Sequence, residues 1–287
     1  MTASDFFSRF GATLKSSAKL ALLCRPTSMQ KNLRGNQPII ILANGPSLNQ
    51  TISESLPLLK AAVTMSVNFA PLAPVFFDIR PKYHVLADPL FFDDNKIENI
   101  KRLYQALEQV DWPLTLLIPN KFARKLPQHV ILNPNISVST FNFVGAEGFR
   151  WFEHFAFSRR LAMPRPRNVL IPAIMSAIWL GYQNIYIVGA DHSWMQSISV
   201  DSQNNVISVQ PHFYKDDKTE QKRVDSTYRN YRLQDIVHSF YVAFRSYHSL
   251  QDFAKKKNIN IINSTPSSYI DAFPRAPLPS FDSTENP

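Results

Sequence analysis

Apolar residues in this chain come in short runs without alternation, and each run closes on a small polar residue. Residues 38–42, Pro-Ile-Ile-Ile-Leu, lead into Ala43-Asn44-Gly45-Pro46-Ser47. Residues 62–67 end at Asn68, residues 83–87 at Asp88, and residues 184–189 at Ala190-Asp191-His192. Unbroken aliphatic runs of strand length suit strands buried on both faces of a parallel sheet. Further strands are expected at 114–118 and 260–263. Helical periodicity predicts helices at 53–59, 97–110 and 233–257 between these runs. Residues 168–182 are apolar on every side and read as a buried helix capped at its C-terminus by Gly181. Strands alternating with helices give an α/β fold: a Rossmann-like, mostly parallel sheet with helices on both faces.

The polar strand ends carry the candidate chemistry. In an open α/β sheet the carboxyl ends of the strands line the ligand crevice, so Asn44, Asn68, Asp88 and Asp191 are expected on one rim. Asn amides both donate and accept, which suits the edge of a base or sugar. Gly45 lets a ligand approach the main chain, Pro46 fixes φ for a first helical turn, and Ser47 adds a hydroxyl. Backbone N–H groups at that helix start would attract a phosphate; the plainer reading is an ordinary strand-to-turn junction. Adjacent Asp191 and His192 can serve as orienter and base. Arg159, Arg160, Arg165 and Arg167 form the densest positive patch, suited to phosphate or carboxylate or simply to solvent. His238 and His248 lie ten residues apart on the 233–257 helix and do not share a face closely, so no zinc pair is expected there.

The flanks differ from this core. Phe7, Phe10, Leu14, Ala18 and Ala21 recur at helical spacing with Arg9, Lys15 and Lys19 between them. Residues 1–36 therefore read as a basic amphipathic segment that rests on an anionic membrane surface, on its own domain or on a partner. Lysines interrupt any signal-peptide core. Residues 37–273 form the expected catalytic domain. Inserts near 121–168, rich in aromatic residues, and near 195–232 are candidate lids, and 274–287 is an expected frayed tail.

Composition narrows the partners. The chain has 287 residues and a formal charge of +9, with seven Gly against 21 Pro and a single Cys. The positive charge is dispersed, which favours phosphorylated small molecules or phospholipid over nucleic acid. One cysteine excludes an internal disulfide and fits a cytoplasmic setting, with peripheral contact at the inner face of the membrane as an option. No glycine-rich dinucleotide or Walker loop is present.

Asn44-Gly45-Pro46-Ser47-Leu48, Asn68, and the stretch from Leu180-Gly181-Tyr182 to Gly189-Ala190-Asp191 together resemble the bacterial sialyltransferases of glycosyltransferase family 42. They are also similar to the related motility-accessory flagellin glycosyltransferases and to hydroxymethylpterin pyrophosphokinase-like domains. The resemblance implies a metal-independent transferase with no cofactor. Its co-substrate is a CMP-activated nonulosonic acid and its acceptor a cell-surface glycan or glycolipid. Asn44, Gly45 and Ser47 would approach the donor phosphate and ribose, Asn68 would read the nucleotide, and Asp191 would hold sugar hydroxyls. Asp88 stands where the family has Asn, and Arg167 matches an Arg before the buried helix. The family's catalytic His falls best on His238, with His192 and His212 as rivals. Its phosphate-binding tyrosines are replaced by Ser193 and Trp194, leaving Tyr214, Tyr228 or Tyr231 to substitute. Two other readings stay open: transfer of diphosphate from ATP with Mg²⁺ on Asp88, Asp93, Asp94 and Asp191, and a nucleotide-sugar or glycan-binding protein without catalysis.

Overall fold

The Ile-rich run forms an interior strand of a seven-stranded sheet whose strands are all parallel. A computed structural model describes residues 2–31, 37–93, 97–208 and 231–279. In chain order it contains helix α1 (Ala3–Leu23), β1 (Ile39–Leu42), α2 (Ser47–Ala61), β2 (Val63–Val67), α3 (Val75–Ile79), β3 (Tyr83–Val85) and α4 (Leu90–Asp93). There follow α5 (Glu98–Glu108), β4 (Leu114–Pro119), α6 (Gln128–Ile131), β5 (Ile136–Phe141), α7 (Arg150–Ser158), α8 (Leu170–Leu180) and β6 (Asn184–Val188). A small antiparallel hairpin, β7 (Ile198–Val200) and β8 (Val206–Ser208), precedes α9 (Leu233–Lys256) and β9 (Asn260–Asn263).

The sheet order is β5-β4-β3-β2-β1-β6-β9. The chain therefore winds outward from β1 in one direction, then returns to place β6 on the other side of β1. Ile39 lies opposite both Val63 and Ile185, and Leu42 opposite both Ser66 and Val188. The gap between the ends of β1 and β6 is the topological switch point, where such sheets bind ligands.

Burial explains the unalternated runs. Ile39 and Ile41 pack on one face with Met65, Val67 and α8, while Ile40 and Leu42 pack on the other with Leu48 and Leu59 of α2. Every residue of α8 is buried. Gly181 ends it in the left-handed conformation, φ 99°, as its position predicted.

Two expectations need correction. The helix predicted at 53–59 begins at Ser47, directly after Pro46, and runs to Ala61 across a local break at Ser55 and across Pro57. Residues 121–168 contain a regular strand, β5, that pairs along six residues with β4. Its sequence, Ile-Ser-Val-Ser-Thr-Phe, is polar because it is the edge strand and only one side is well covered. Of the insert expected at 195–232, residues 209–230 lie outside the described residues.

The basic N-terminal segment is sewn onto the sheet's β5 side. Ser16 Oγ donates to the Glu147 carbonyl at 2.8 Å and accepts from the Glu147 amide at 3.0 Å. Phe149 N–H donates to Thr13 Oγ1 at 2.9 Å. Asn142 takes the Arg25 N–H and returns a bond to the Arg25 carbonyl, and Met29 is buried in the main core. At the other end of the chain, Arg275 bridges to Asn263 of β9, so residues 274–279 lie against the sheet. Gly148, at φ 150°, is what lets α1 come this close: a Cβ there would lie 2.1 Å from Thr13 Oγ1 and 2.8 Å from Thr13 Cα. Gly148→Ala is expected to cost about 1–3 kcal/mol and to expose the α1 junction to protease. Thermal melting and limited proteolysis check this, and a variant indistinguishable from wild type in both would contradict it.

Candidate active site

The cleft opens at the switch point. It encloses about 520 Å³ and is lined by the ends of β1, β2, β3 and β6, by the start of α8, and by residues 191–197. Its position and size are those of a small-molecule site.

The turn after β1 is built by an internal anion. The Asp191 carboxylate accepts from Ser47 Oγ at 2.8 Å and from Ser47 N–H at 3.3 Å. Gly45 N–H donates to the Gly189 carbonyl at 2.7 Å. A Cβ on Gly45 would sit 2.0 Å from Asp191 Oδ2, so glycine is required here by protein packing. Gly189, at φ 70°, makes the reciprocal approach to Ala43 and Leu48. This corrects the picture of a free phosphate-binding turn. Asp191 already occupies the electropositive start of α2, and its carboxylate would repel a phosphate there.

Three asparagines supply unspent hydrogen-bonding capacity instead. Asn44, Asn68 and Asn168 all line the cleft. Each carries a buried amide atom without a hydrogen-bond partner: Oδ1 of Asn44, Oδ1 of Asn68 and Nδ2 of Asn168. A buried unpaired amide atom costs about 1–3 kcal/mol, and all three belong to residues of one cleft wall, where a small side-chain movement brings them to a ligand. Asn68 holds φ 50°, a left-handed turn that asparagine tolerates and that ends β2 abruptly at the rim.

Asn168 is fixed by a buried relay. Its Oδ1 accepts from the Tyr247 hydroxyl at 2.9 Å and from the Leu170 N–H at 3.0 Å. Tyr247 Oη lies 2.6 Å from His192 Nε2. Because the tyrosine proton goes to Asn168, His192 Nε2–H is the donor to Tyr247. Burial pushes the His192 pKa from its ordinary 6.5 down to about 3, and pushes the Tyr247 hydroxyl well above its ordinary value. Both groups are neutral. Their work in this arrangement is to aim Asn168 Nδ2.

The remaining predicted residues divide. Asp88 is exposed at the cleft, where its Oδ1 caps the Leu90 N–H at 2.9 Å. Arg167 and Ser193 line the cleft, and Arg167 is the one Arg or Lys side chain among its described lining. Phe143 and Trp194 add flat apolar surface; the His192 and Trp194 ring centroids are 4.1 Å apart. His238 is exposed on α9 and is not brought to the cleft. α9 reaches the site through Tyr247, more than two turns further along. Tyr231 is likewise exposed and outside the lining. Tyr214, Tyr228 and His212 lie outside the described residues. Sequence reasoning passed over Asn168 and Tyr247. Asn168 stands beside Arg167 at the start of an apolar helix, which is the signal that marks it as a cap. Tyr247 sits in a long amphipathic helix with nothing local to single it out. Among the described residues no group of three or more His, Cys, Asp or Glu side chains is placed to hold a metal ion.

No family model and no curated protein matches this chain. Among solved structures it is similar to the MAf glycosyltransferase from Magnetospirillum magneticum AMB-1, with a TM-score of 0.48 and 13% identity. The likeness covers 93% of this chain and 38% of that one, so the chain spans well under half its neighbour's length. A resemblance this distant concerns the course of the chain and carries nothing about donor or acceptor.

The neutral histidines set an acid limit on stability. His84, wholly buried on β3 with Nδ1 2.8 Å from Ser66 Oγ, is also pushed down to about 3 by burial. Both folded pKa values lie below the unfolded 6.5, so their contribution is fully present above pH 6.5. It is lost as pH falls from about 6.5 toward about 3, at up to about 1.4 kcal/mol per pH unit for each histidine. His192→Gln is expected to flatten the slope of stability against pH by about one proton. Urea titrations across this range measure it; an unchanged slope would contradict a neutral buried His192.

Proposed function

We propose that this chain is a glycosyltransferase whose cleft takes the nucleotide of an activated sugar, with a CMP-linked nonulosonic acid as the donor. One observation carries the reading: three asparagines, from the ends of β1 and β2 and the start of α8, line one cavity at the switch point of a parallel sheet, and each has an amide atom that the protein leaves unpartnered. Amide donors and acceptors on a fixed rim match the edge of a pyrimidine and the hydroxyls of a ribose. Phe143 and Trp194 offer flat walls to the base.

The phosphate belongs on the Arg167 side. Arg167 and the start of α8 bring positive charge there, and Asp191 keeps the anion away from α2. Departure of the nucleotide leaves a negative phosphate, which Arg167 steadies in place. Asp88, exposed at the same rim, is the carboxylate in position to take the proton from an acceptor hydroxyl. His192 acts through Tyr247 as a positioning group for Asn168, which replaces the role expected for it and for His238. The acceptor is a surface glycan or a glycolipid headgroup.

Calorimetry with CMP, CMP-sialic acid, a UDP-sugar and ATP, each with and without Mg²⁺, tests the proposal. CMP and its sugar conjugate are expected to bind without added metal. Asn44→Ala and Asn68→Ala should each weaken them about tenfold, the worth of one hydrogen bond to a buried amide. ATP binding that requires Mg²⁺ would favour diphosphate transfer. CMP-sugar binding without turnover on any offered glycan would favour a binding protein. No binding of CMP or any CMP-sugar would end the transferase reading.

A further inference from the structure

The largest feature left over by the cleft is an aromatic surface on α1 and α7. Phe7, Phe10 and Leu14 are 70%, 47% and 56% exposed, and Trp151 and Phe155 of α7 are 66% and 52% exposed. Ring contacts join the two helices: Phe6 to Phe149 at 5.4 Å, and Phe149 stacked on Trp151 at 6.5 Å. At 100° per residue Phe6, Phe10, Leu14 and Phe7 share one side of α1. Thr13, Ser16 and Leu20, which hold α1 to the domain, occupy the adjoining side. The stripe is therefore not the docking face of α1. It projects from a helix already anchored by another set of residues, and a contiguous exposed apolar patch of this kind marks an interaction site.

Cations border it. Lys15 flanks the stripe by helical phase, and the Arg159 guanidinium sits 5.7 Å from the Phe155 ring; Arg9 falls on the anchored side, where its charge acts on the Glu153 carboxyl. Partial burial, with repulsion from Lys15 and Arg165, holds the Lys19 ammonium below its ordinary pKa, so these positive groups crowd one another. The acids nearby are engaged. Asp5 closes a capping box with Thr2, Glu147 pairs with Arg165 and Arg245, Asp252 pairs with Arg150 and His154, and Glu153 of α7 accepts from the Gly148 N–H.

We propose that this face docks on an anionic lipid bilayer, with the α1 and α7 aromatics entering the headgroup region and Lys15 and Arg159 meeting lipid phosphates. Aromatic residues beside basic ones are the composition of interfacial helices. A second copy of the chain is the poorer occupant, because a two-fold contact would set these same cations against each other on a chain of net charge +9. Among the described residues no helix is long and apolar enough to cross a membrane, so the contact is one of surface docking. The inference does not depend on what the cleft binds.

The test is flotation of the full chain with vesicles of phosphatidylcholine alone and of phosphatidylcholine mixed with phosphatidylglycerol, at low and high salt. The protein is expected to float with the anionic vesicles at low salt and to be released by high salt. Lys15→Ala should lower partitioning about fivefold, the worth of one cation near a charged membrane. Phe7→Ser with Phe10→Ser should abolish flotation while leaving the melting temperature unchanged, because both side chains are exposed. If that pair impairs folding, Trp151→Ser serves in its place, and lipids brominated near the headgroup should quench wild-type tryptophan fluorescence. Failure to float with anionic vesicles at low salt would overturn the proposal. So would flotation indifferent to these substitutions, or a concentration-dependent dimer that the double substitution dissolves.

Discussion

The clasp between Asp191 and the β1–α2 turn is the contact on which the site depends. Strands β1 and β6 are neighbours in the sheet but far apart in sequence, and backbone hydrogen bonds hold them together one turn beyond their ends. Asp191 holds Ser47 by hydroxyl and amide, while Gly45 and Gly189 meet backbone to backbone. The cost of that approach is two positions where no side chain fits. The gain is a rigid rim: α2 starts at once after the turn, and Asn44 is left in the cleft wall with its Oδ1 unpartnered. An internal carboxylate at the start of a helix also decides polarity. It satisfies the α2 dipole from within and leaves Arg167 and the start of α8 as the side that favours an anion.

A second constraint fixes the opposite wall. His192, Tyr247 and Asn168 form a file of neutral groups joined by short hydrogen bonds beneath the cleft. Their neutrality follows from burial, and it keeps charge away from the floor. The file links α9 to the start of α8 and so ties the last helix of the fold to a residue on the rim. The left-handed backbone at His192, φ 53°, turns the chain after β6 toward this file. Catalysis by His192 as a base would need its proton affinity raised. The observed surroundings lower it, which suits an orienting role.

Much of the sheet could be read from residues alone, because strands covered on both faces must be apolar throughout. Ile39–Leu42 announces itself in that way, and so does α8, whose every side is buried; Val63–Val67 and Asn184–Val188 do so through their aliphatic residues, with Thr64 and Ser66 buried among them. β5 follows a different rule: as an edge strand it carries Ser and Thr facing out, and its signal is the Ile-Ser-Val-Ser alternation rather than an unbroken aliphatic run. Pro46 and Ser47 signalled the start of α2, but its anchor was hidden, because Asp191 lies 144 residues away. The polar strand ends were legible as a set: Asn44, Asn68, Asp88 and Asp191 do converge on one cleft. Their individual duties were not. Whether a carboxylate faces ligand or clasps a turn depends on partners that only folding brings together. His238 shows the same limit, since helix phase turns it outward while Tyr247 faces in.

On the reading proposed above, Asn44, Asn68 and Asn168 act as one ligand-binding set. The most direct measurement is nuclear magnetic resonance of asparagine side-chain amides in protein labelled with ¹⁵N-asparagine, titrated with cytidine monophosphate. Single substitutions assign the three NH₂ pairs. The account predicts that these three shift together, on one saturating curve, while the amides of Asn133 and Asn260, which bond elsewhere in the fold, stay in place. Saturating nucleotide that leaves all three unmoved, or that moves only amides outside the cleft, would contradict it.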